Sequence, residues 1–247
     1  MLINRRLKGI KVKEHWFQYP ENGKGLFVIV NNLYEMCSSD LQEISREKRC
    51  TLTNDLTLPE EELLQNIDKN VRYEIRRAGK ENVACKTFGL GDAGISQVID
   101  EFDQAYREMY RLKGHSVKSV GKYLREIGER GIISIAYLEN RPVVYHVYIV
   151  GEGIARLLYS VSVFRECDSN NDRSAIARGN RYLHWNDMVL FKEQGFQIYD
   201  WGGYSTDPEL ENISKFKAGF GGIMKDTYYA TLSGSRLLAI LYRKMRG

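Results

Sequence analysis

The stretch Tyr199-Asp200-Trp201-Gly202-Gly203, followed by Ile213-Ser214-Lys215-Phe216-Lys217-Ala218-Gly219-Phe220-Gly221-Gly222, decides how this chain is read. The first piece continues an apolar run, Phe196-Gln197-Ile198-Tyr199, and predicts a strand that ends in an acid and two glycines. Paired glycines let a backbone turn sharply or come close to a ligand. The second piece sets an aromatic beside a lysine and then needs φ freedom again at Gly-Phe-Gly-Gly. Strand ends are usual addresses for site residues in open α/β sheets. Asp200 is thus a candidate to accept an amine proton or bind a sugar hydroxyl; capping the turn after it is an equally good reading.

Upstream, Pro59 followed by Glu60-Glu61-Glu62 predicts a helix start, with proline at the first helical position and acids at the positive end of the dipole. Leu64, Ile67, Val71, Ile75 and Ala78 then share one face. At about 100° per residue, Lys69, Arg72, Arg76 and Lys80 form a separate cationic stripe. Such a stripe is ordinarily a solvated face; the alternative is a seat for phosphates, which arginine clamps bidentately.

These two regions carry a resemblance. Y-D-W-G-G with I-S-K-F-K-A-G-F-G-G, and the segment Asn70-Val71-Arg72-Tyr73-Glu74-Ile75-Arg76-Arg77-Ala78-Gly79-Lys80, are similar to the Fem-type peptidoglycan aminoacyltransferases and their acyltransferase relatives. The resemblance spans roughly residues 52–231. It implies the fold of the GCN5-related N-acetyltransferases, an α/β chain with a mixed sheet and a shortened N-terminal lobe. The expected division is a partial lobe with the linking basic helix over 1–82 and an acyltransferase-like domain over 83–247. The resemblance places Lys217 near the reacting centre, where its charge meets a carbonyl oxygen or a phosphate, with Phe216 walling off water. It places the helix of Arg72, Arg76 and Lys80 beside the substrate cleft, and Trp201, Gly202 and Gly203 along it.

The chain around these motifs is ordinary. It has 247 residues, a net charge of +4 and 28% charged residues, which bounds it to one large domain or a domain plus a partial one. A charge this small does not by itself indicate nucleic-acid binding. Cys37, Cys50, Cys85 and Cys167 are far apart with no C-x-x-C pair, an argument against zinc and against a disulfide framework. Reduced thiols in the cytoplasm are the simplest reading. Met1 to Arg6 lacks a signal-peptide stretch, and no run reaches the length of a membrane span.

Periodicity fills in the rest. Trp16-Phe17 and Leu26 to Val30, with Asn22-Gly23-Lys24-Gly25 as a turn, read as a small strand pair. Residues 38–48 read as a short helix and Thr51–Leu58 as a strand. Helices are expected over Ile95–Tyr110, Val120–Glu129 and Ala177–Gln194, and strands over 131–138, 142–150, 154–163 and 223–232. Residues 165–175 read as an exposed loop. His146, mid-strand, is a candidate base, and Tyr159 on the next strand a candidate donor to a leaving group; both fit core packing better. His184 fits a hydrogen-bonded core residue. The tail Ser235–Arg246 is amphipathic and basic, suited either to the core or to anionic lipid at the inner membrane face.

No metal cluster and no G-x-S-x-G appear. Acyl transfer needs only an uncharged amine and a polarised carbonyl. The sequence therefore reads as an acyl- or aminoacyltransferase acting on an amine of a cell-wall or surface-polysaccharide precursor. The resemblance implies a nucleotide- or lipid-linked sugar or muropeptide acceptor and, as donor, either aminoacyl-tRNA or acyl-CoA. Two alternatives stay open: an acetyl-CoA-dependent N-acetyltransferase of a nucleotide-linked amino sugar, and a non-catalytic RNA- or nucleotide-binding protein. Where acetyl-CoA-dependent members carry Q/R-x-x-G-x-G/A, this chain has Arg173-Ser174-Ala175-Ile176-Ala177-Arg178-Gly179, whose glycines do not fit a pyrophosphate loop.

Overall fold

A computed structural model gives the fold and describes residues 1–7, 9–20, 27–35, 40–167, 169–237 and 239–240. Strands β1 (Leu2–Leu7), β2 (Ile10–Trp16), β3 (Val28–Leu33) and β4 (Gln42–Asp55) come first. Helices α1 (Glu60–Gln65) and α2 (Lys69–Lys80) lead to β5 (Ala84–Gly89), α3 (Ser96–Arg111) and α4 (Gly121–Ile127). A meander follows, β6 (Gly131–Leu138), β7 (Arg141–Gly151) and β8 (Ile154–Ser162). Then come α5 (Asn170–Glu193), β9 (Ile198–Gly203), α6 (Glu211–Ala218) and β10 (Ile223–Ser233).

All ten strands join one mixed sheet, in the order β1-β2-β3-β10-β4-β9-β8-β7-β6-β5. Both faces of its middle are covered, which is why β7 reads as an unbroken apolar run. Its side chains alternate between two cores. Tyr145, Val147 and Ile149 pack with Ile99 and Phe102 of α3 and Leu124 of α4. Tyr148 points the other way, to Ile75 of α2 and Met188 and Phe191 of α5. The sheet does not stop near residue 82: β4 pairs with β9, and β10 lies between β3 and β4.

The strands expected over 131–138, 142–150, 154–163 and 223–232 and the helices of 95–110 and 120–129 form within a few residues of their expected ends, while the strand expected over Thr51–Leu58 runs Gln42–Asp55. Four expectations change. Residues 38–48 do not make a helix in their described part, because Gln42 onward is strand paired to β10. The helix after Pro59 breaks in two. Asp68 donates its amide to the Gly219 carbonyl at 2.9 Å, and Gly221, at φ 73°, sits so close that an added Cβ would lie 2.6 Å from the Asn66 oxygen. Helix α5 starts at Asn170, not Ala177, since the Ser169 hydroxyl accepts the amides of Asn171 and Asp172 and caps it. The early strand pair is β2 with β3, but parallel, so it is not a hairpin. The Asn22–Gly25 turn and most of the basic tail, from residue 241, lie outside the described residues, as does Cys37. Cys50, Cys85 and Cys167 are free thiols. No helix among the described residues is long and apolar enough to cross a membrane.

Candidate functional site

β8 and β9 run parallel but pair only from Ile154, Ala155 and Arg156 to Ile198, Tyr199 and Asp200. Beyond that the two strands part. Two local features sit at the parting. The β7–β8 register shifts between Tyr159 and Leu157, leaving Leu158 as the extra residue of a bulge; bulges re-aim backbone and side chains. Across from it Gly202 holds φ 75°, and a Cβ there would stand 2.8 Å from the Leu157 carbonyl oxygen. Only glycine allows that approach. A cleft of about 560 Å³ opens here, lined by Arg156 to Tyr159, Gly202 and Gly203, with Arg49, Tyr229, Tyr123, Arg5 and Glu14 around it.

Asp200 lies under this cleft and is fully buried. One oxygen accepts from Thr51 Oγ1 at 2.5 Å, Arg156 Nη1 at 2.7 Å and its neighbour Gly202 N at 2.8 Å. The other accepts from Asn32 Nδ2 and Tyr34 Oη, both at 2.8 Å. Burial alone would raise the pKa of the carboxyl; Arg156 and the hydrogen bonds from Thr51, Tyr34 and Asn32 outweigh it and hold the group below the usual carboxylate range. A carboxylate has about four lone-pair sites, and these are saturated. Of the roles expected for Asp200, the bond from the Gly202 amide is the one that caps the turn after it, and the other donors make it an anchor that ties β3, β4 and β8 to β9.

Lys217, in the last turn of α6, is half-buried and donates from Nζ to the Gly203 carbonyl at 2.5 Å. Burial first, and then the nearby Arg156 charge, push its pKa down to about 8, against a smaller pull from Asp200. Phe216 forms the adjoining wall. Its ring lies 5.6 Å from Phe220 and 6.4 Å from Trp201, and Arg181 stacks on it at 5.1 Å. Trp201 is buried and donates to Asn54 Oδ1, so it supports the wall from behind.

His146 is fully buried on β7, in a closed network rather than at the cleft. Nδ1 faces Asp187 Oδ2 and Nε2 faces Asn180 Oδ1, each at 2.8 Å. Tyr148 donates to the same Asp187 oxygen at 2.6 Å and meets Tyr199 Oη at 2.7 Å; Tyr199 Oη meets His184 Nδ1 at 2.7 Å. If each proton is used once, the direction is fixed: His184 Nδ1–H donates to Tyr199, Tyr199 to Tyr148, and Tyr148 to Asp187. Burial, with the charges of His146, Lys217 and Arg181, keeps His184 well below its ordinary pKa. Asp187 Oδ1 has no partner. His146, His184 and Asp187 are close enough to suggest an ion site. The two imidazoles, however, are stacked at 3.8 Å and 27°, so their in-plane lone pairs run nearly parallel instead of converging.

The remaining expected residues scatter. Arg72 donates to the carbonyls of Leu64 and Gln65, closing the end of α1. Arg76 and Lys80 are exposed on α2. Tyr159 lines the cleft and packs on Phe102 and Tyr106. Sequence reading missed Arg156, although a charge inside the apolar run of β8 was a visible signal. It also missed Thr51, Asn32 and Tyr34, which meet Asp200 across more than 140 residues and carry no local signal.

No protein-family model matches the sequence, and no curated protein matches it. Solved structures do. FemX aligns over 98% of this chain and 86% of its own, at 10% identity and a TM-score of 0.65. L-PGS from Bacillus licheniformis aligns over 88% of this chain and 72% of its own, at 13% identity and 0.50. The C-terminal domain of an Agrobacterium fabrum protein bearing the name lysylphosphatidylglycerol synthetase aligns over 89% and 71%, at 12% identity and 0.52. The chain has their fold, a mixed α/β architecture in which the expected acyltransferase-type order of elements is present.

Proposed function

Starting from a FemX-like fold, we propose that this chain transfers an acyl or aminoacyl group to an amine of a cell-wall or surface-polysaccharide precursor. The observation that carries the reading is Lys217. Its ammonium donates to the carbonyl of Gly203, the residue that ends β9 next to Gly202, and feels the charges of Arg156 and Asp200. In the reaction the acceptor nitrogen attacks the donor carbonyl, negative charge grows on the carbonyl oxygen, and the bond to the leaving oxygen or sulfur breaks. A half-desolvated cation stabilises that charge more than water does. Phe216 and Phe220 exclude water on the Lys217 side. Asp200 keeps Arg156 and the cleft floor in place and takes no proton; the amine proton passes to the leaving group or to solvent.

Aminoacyl-tRNA is favoured over acyl-CoA as the donor. The first amides of α5, which would cradle a pyrophosphate, are taken by the Ser169 side chain, and Asp172 adds a negative charge there. The exposed cations Lys69, Arg76 and Lys80 offer a phosphate-binding surface that needs no such loop. The test pairs donor binding with turnover. Calorimetry with acetyl-CoA should show no micromolar binding, and filter binding of charged tRNA should weaken steeply with salt. Mass spectrometry of a nucleotide-linked muropeptide should show the acyl increment only with the aminoacyl donor. Micromolar acetyl-CoA binding without tRNA binding would promote the nucleotide-sugar N-acetyltransferase reading. RNA binding with no product from any donor would promote the non-catalytic one.

A further inference from the structure

Residues 1–13 hold five cations, Arg5, Arg6, Lys8, Lys11 and Lys13, and no acid. In the fold Arg5, Arg6, Lys11 and Lys13 belong to the antiparallel pair β1–β2, whose outer strand is one edge of the sheet. The last pair before the turn is Leu7 with Ile10, 38% and 45% exposed. On the opposite face Arg6 stands directly across from Lys11; both are exposed, and among the described residues neither forms an ion pair. Like charges directly opposite on paired strands are destabilising, so the pairing is not explained by the fold. Arg5, by contrast, is matched to buried Glu14 at 2.6 Å. Beside the hairpin, a cavity of about 680 Å³ is lined by Arg6, Lys11, Lys13 and Lys122, with Glu126 as its acid.

We propose that the tip of the β1–β2 hairpin docks on an anionic lipid bilayer. Leu7 and Ile10 enter the interface, while Arg6 and Lys11 meet headgroup phosphates at the rim. Aliphatic side chains flanked by cations suit a surface that is apolar below and negative above. An RNA backbone would use the cations but has nothing to gain from Leu7 and Ile10. Edge protection against strand pairing accounts for a charge on β1, but not for two exposed aliphatics at the same end. The other sheet edge shows the difference: β5 presents one cation, Lys86, folded over the Tyr137 ring.

Sedimentation of the full chain with vesicles tests this. Phosphatidylcholine vesicles containing phosphatidylglycerol should bind it, pure phosphatidylcholine should not, and salt should weaken the binding. Neutralising two cations, Arg6→Gln with Lys11→Gln, should lower the partition about twenty-fivefold, at about fivefold per cation. Leu7→Ser with Ile10→Ser should also weaken it at unchanged charge. In Ile10→Trp, emission should shift to the blue on adding anionic vesicles, which needs no destabilising change. Equal binding to both vesicle types, or no emission shift, would overturn the proposal. So would a loss in the charge variant alone, matched by an equal loss of tRNA binding, which would mark a general polyanion surface.

Discussion

Asp200 and Asp187 are both fully enclosed acids, yet their surroundings differ in kind. Asp200 has an arginine partner and donors for every lone pair, drawn from β4, β8 and its own strand and from Asn32 and Tyr34 at the end of β3. Asp187 has two donors on one oxygen, none on the other, and no arginine. The first is a fixed charge around which the sheet is assembled. The second ends a chain that runs from His184 through Tyr199 and Tyr148. Neither is placed to take a proton from a substrate; the half-buried cation near Asp200 and Arg156 is Lys217.

Substitution of the two acids is the sharpest test of that contrast. Asp200→Ala leaves Arg156 buried without its counter-charge and should cost about 3–5 kcal/mol in urea unfolding. A loss under about 1 kcal/mol would mean that the anchor is not one. The pH dependence should agree. A carboxyl whose folded pKa is depressed contributes stability above its unfolded pKa, near 3.9, and loses it as pH falls through the folded value. The acid limb of wild-type stability should therefore flatten in Asp200→Asn. Asp187→Asn should cost less, about 1–3 kcal/mol, because the amide oxygen still accepts from Tyr148 and no arginine is left without its counter-charge. If it cost as much as Asp200→Ala, the two sites would not be distinct.

Lys217→Ala separates chemistry from scaffold. Turnover should drop more than tenfold, about 1.4 kcal/mol of transition-state stabilisation, while the unfolding midpoint barely moves. With a folded pKa of about 8, a lysine that works as a cation should make the rate fall as pH rises through that value. Lys217→Arg should move the fall to higher pH; a fall that stays in place would assign it to another group. The smallest effect is expected at Arg76→Glu on exposed α2. Stability should stay within about 0.5 kcal/mol, with several-fold weaker binding of a phosphorylated donor or acceptor. Unchanged binding would return the α2 stripe to a solvated face.

What could be read in advance follows the distance between interacting residues. The helices α3 and α4 and the meander β6–β8 carry their own periodicity, so their spans were legible. The first half of β4 was not, because Gln42–Cys50 becomes strand through its partner at 223–233. Lys217 could be singled out because its motif is local. The same strand-end logic that pointed to Asp200 found an organising residue but missed that Thr51, Asn32 and Tyr34 would enclose it. His146 shows the same limit: Asp187 and Asn180 lie on a helix far along the chain.

The position of β10 has a consequence for biosynthesis. During translation β5 to β8 can pair as they emerge, since each meets a neighbour close in sequence. β4 has to wait for both of its flanks, one from residues 198–203 and the other from 223–233. Until residues 198–203 emerge β4 has two unpaired edges, and until β10 follows it still has one, while β3 lacks the strand that joins it to the rest. Such late, long-range pairings slow folding and expose strands that aggregate. Truncation before residue 223 should thus yield a chain in which the meander forms and β4 can still pair with β9, but β1 to β3 do not join the sheet.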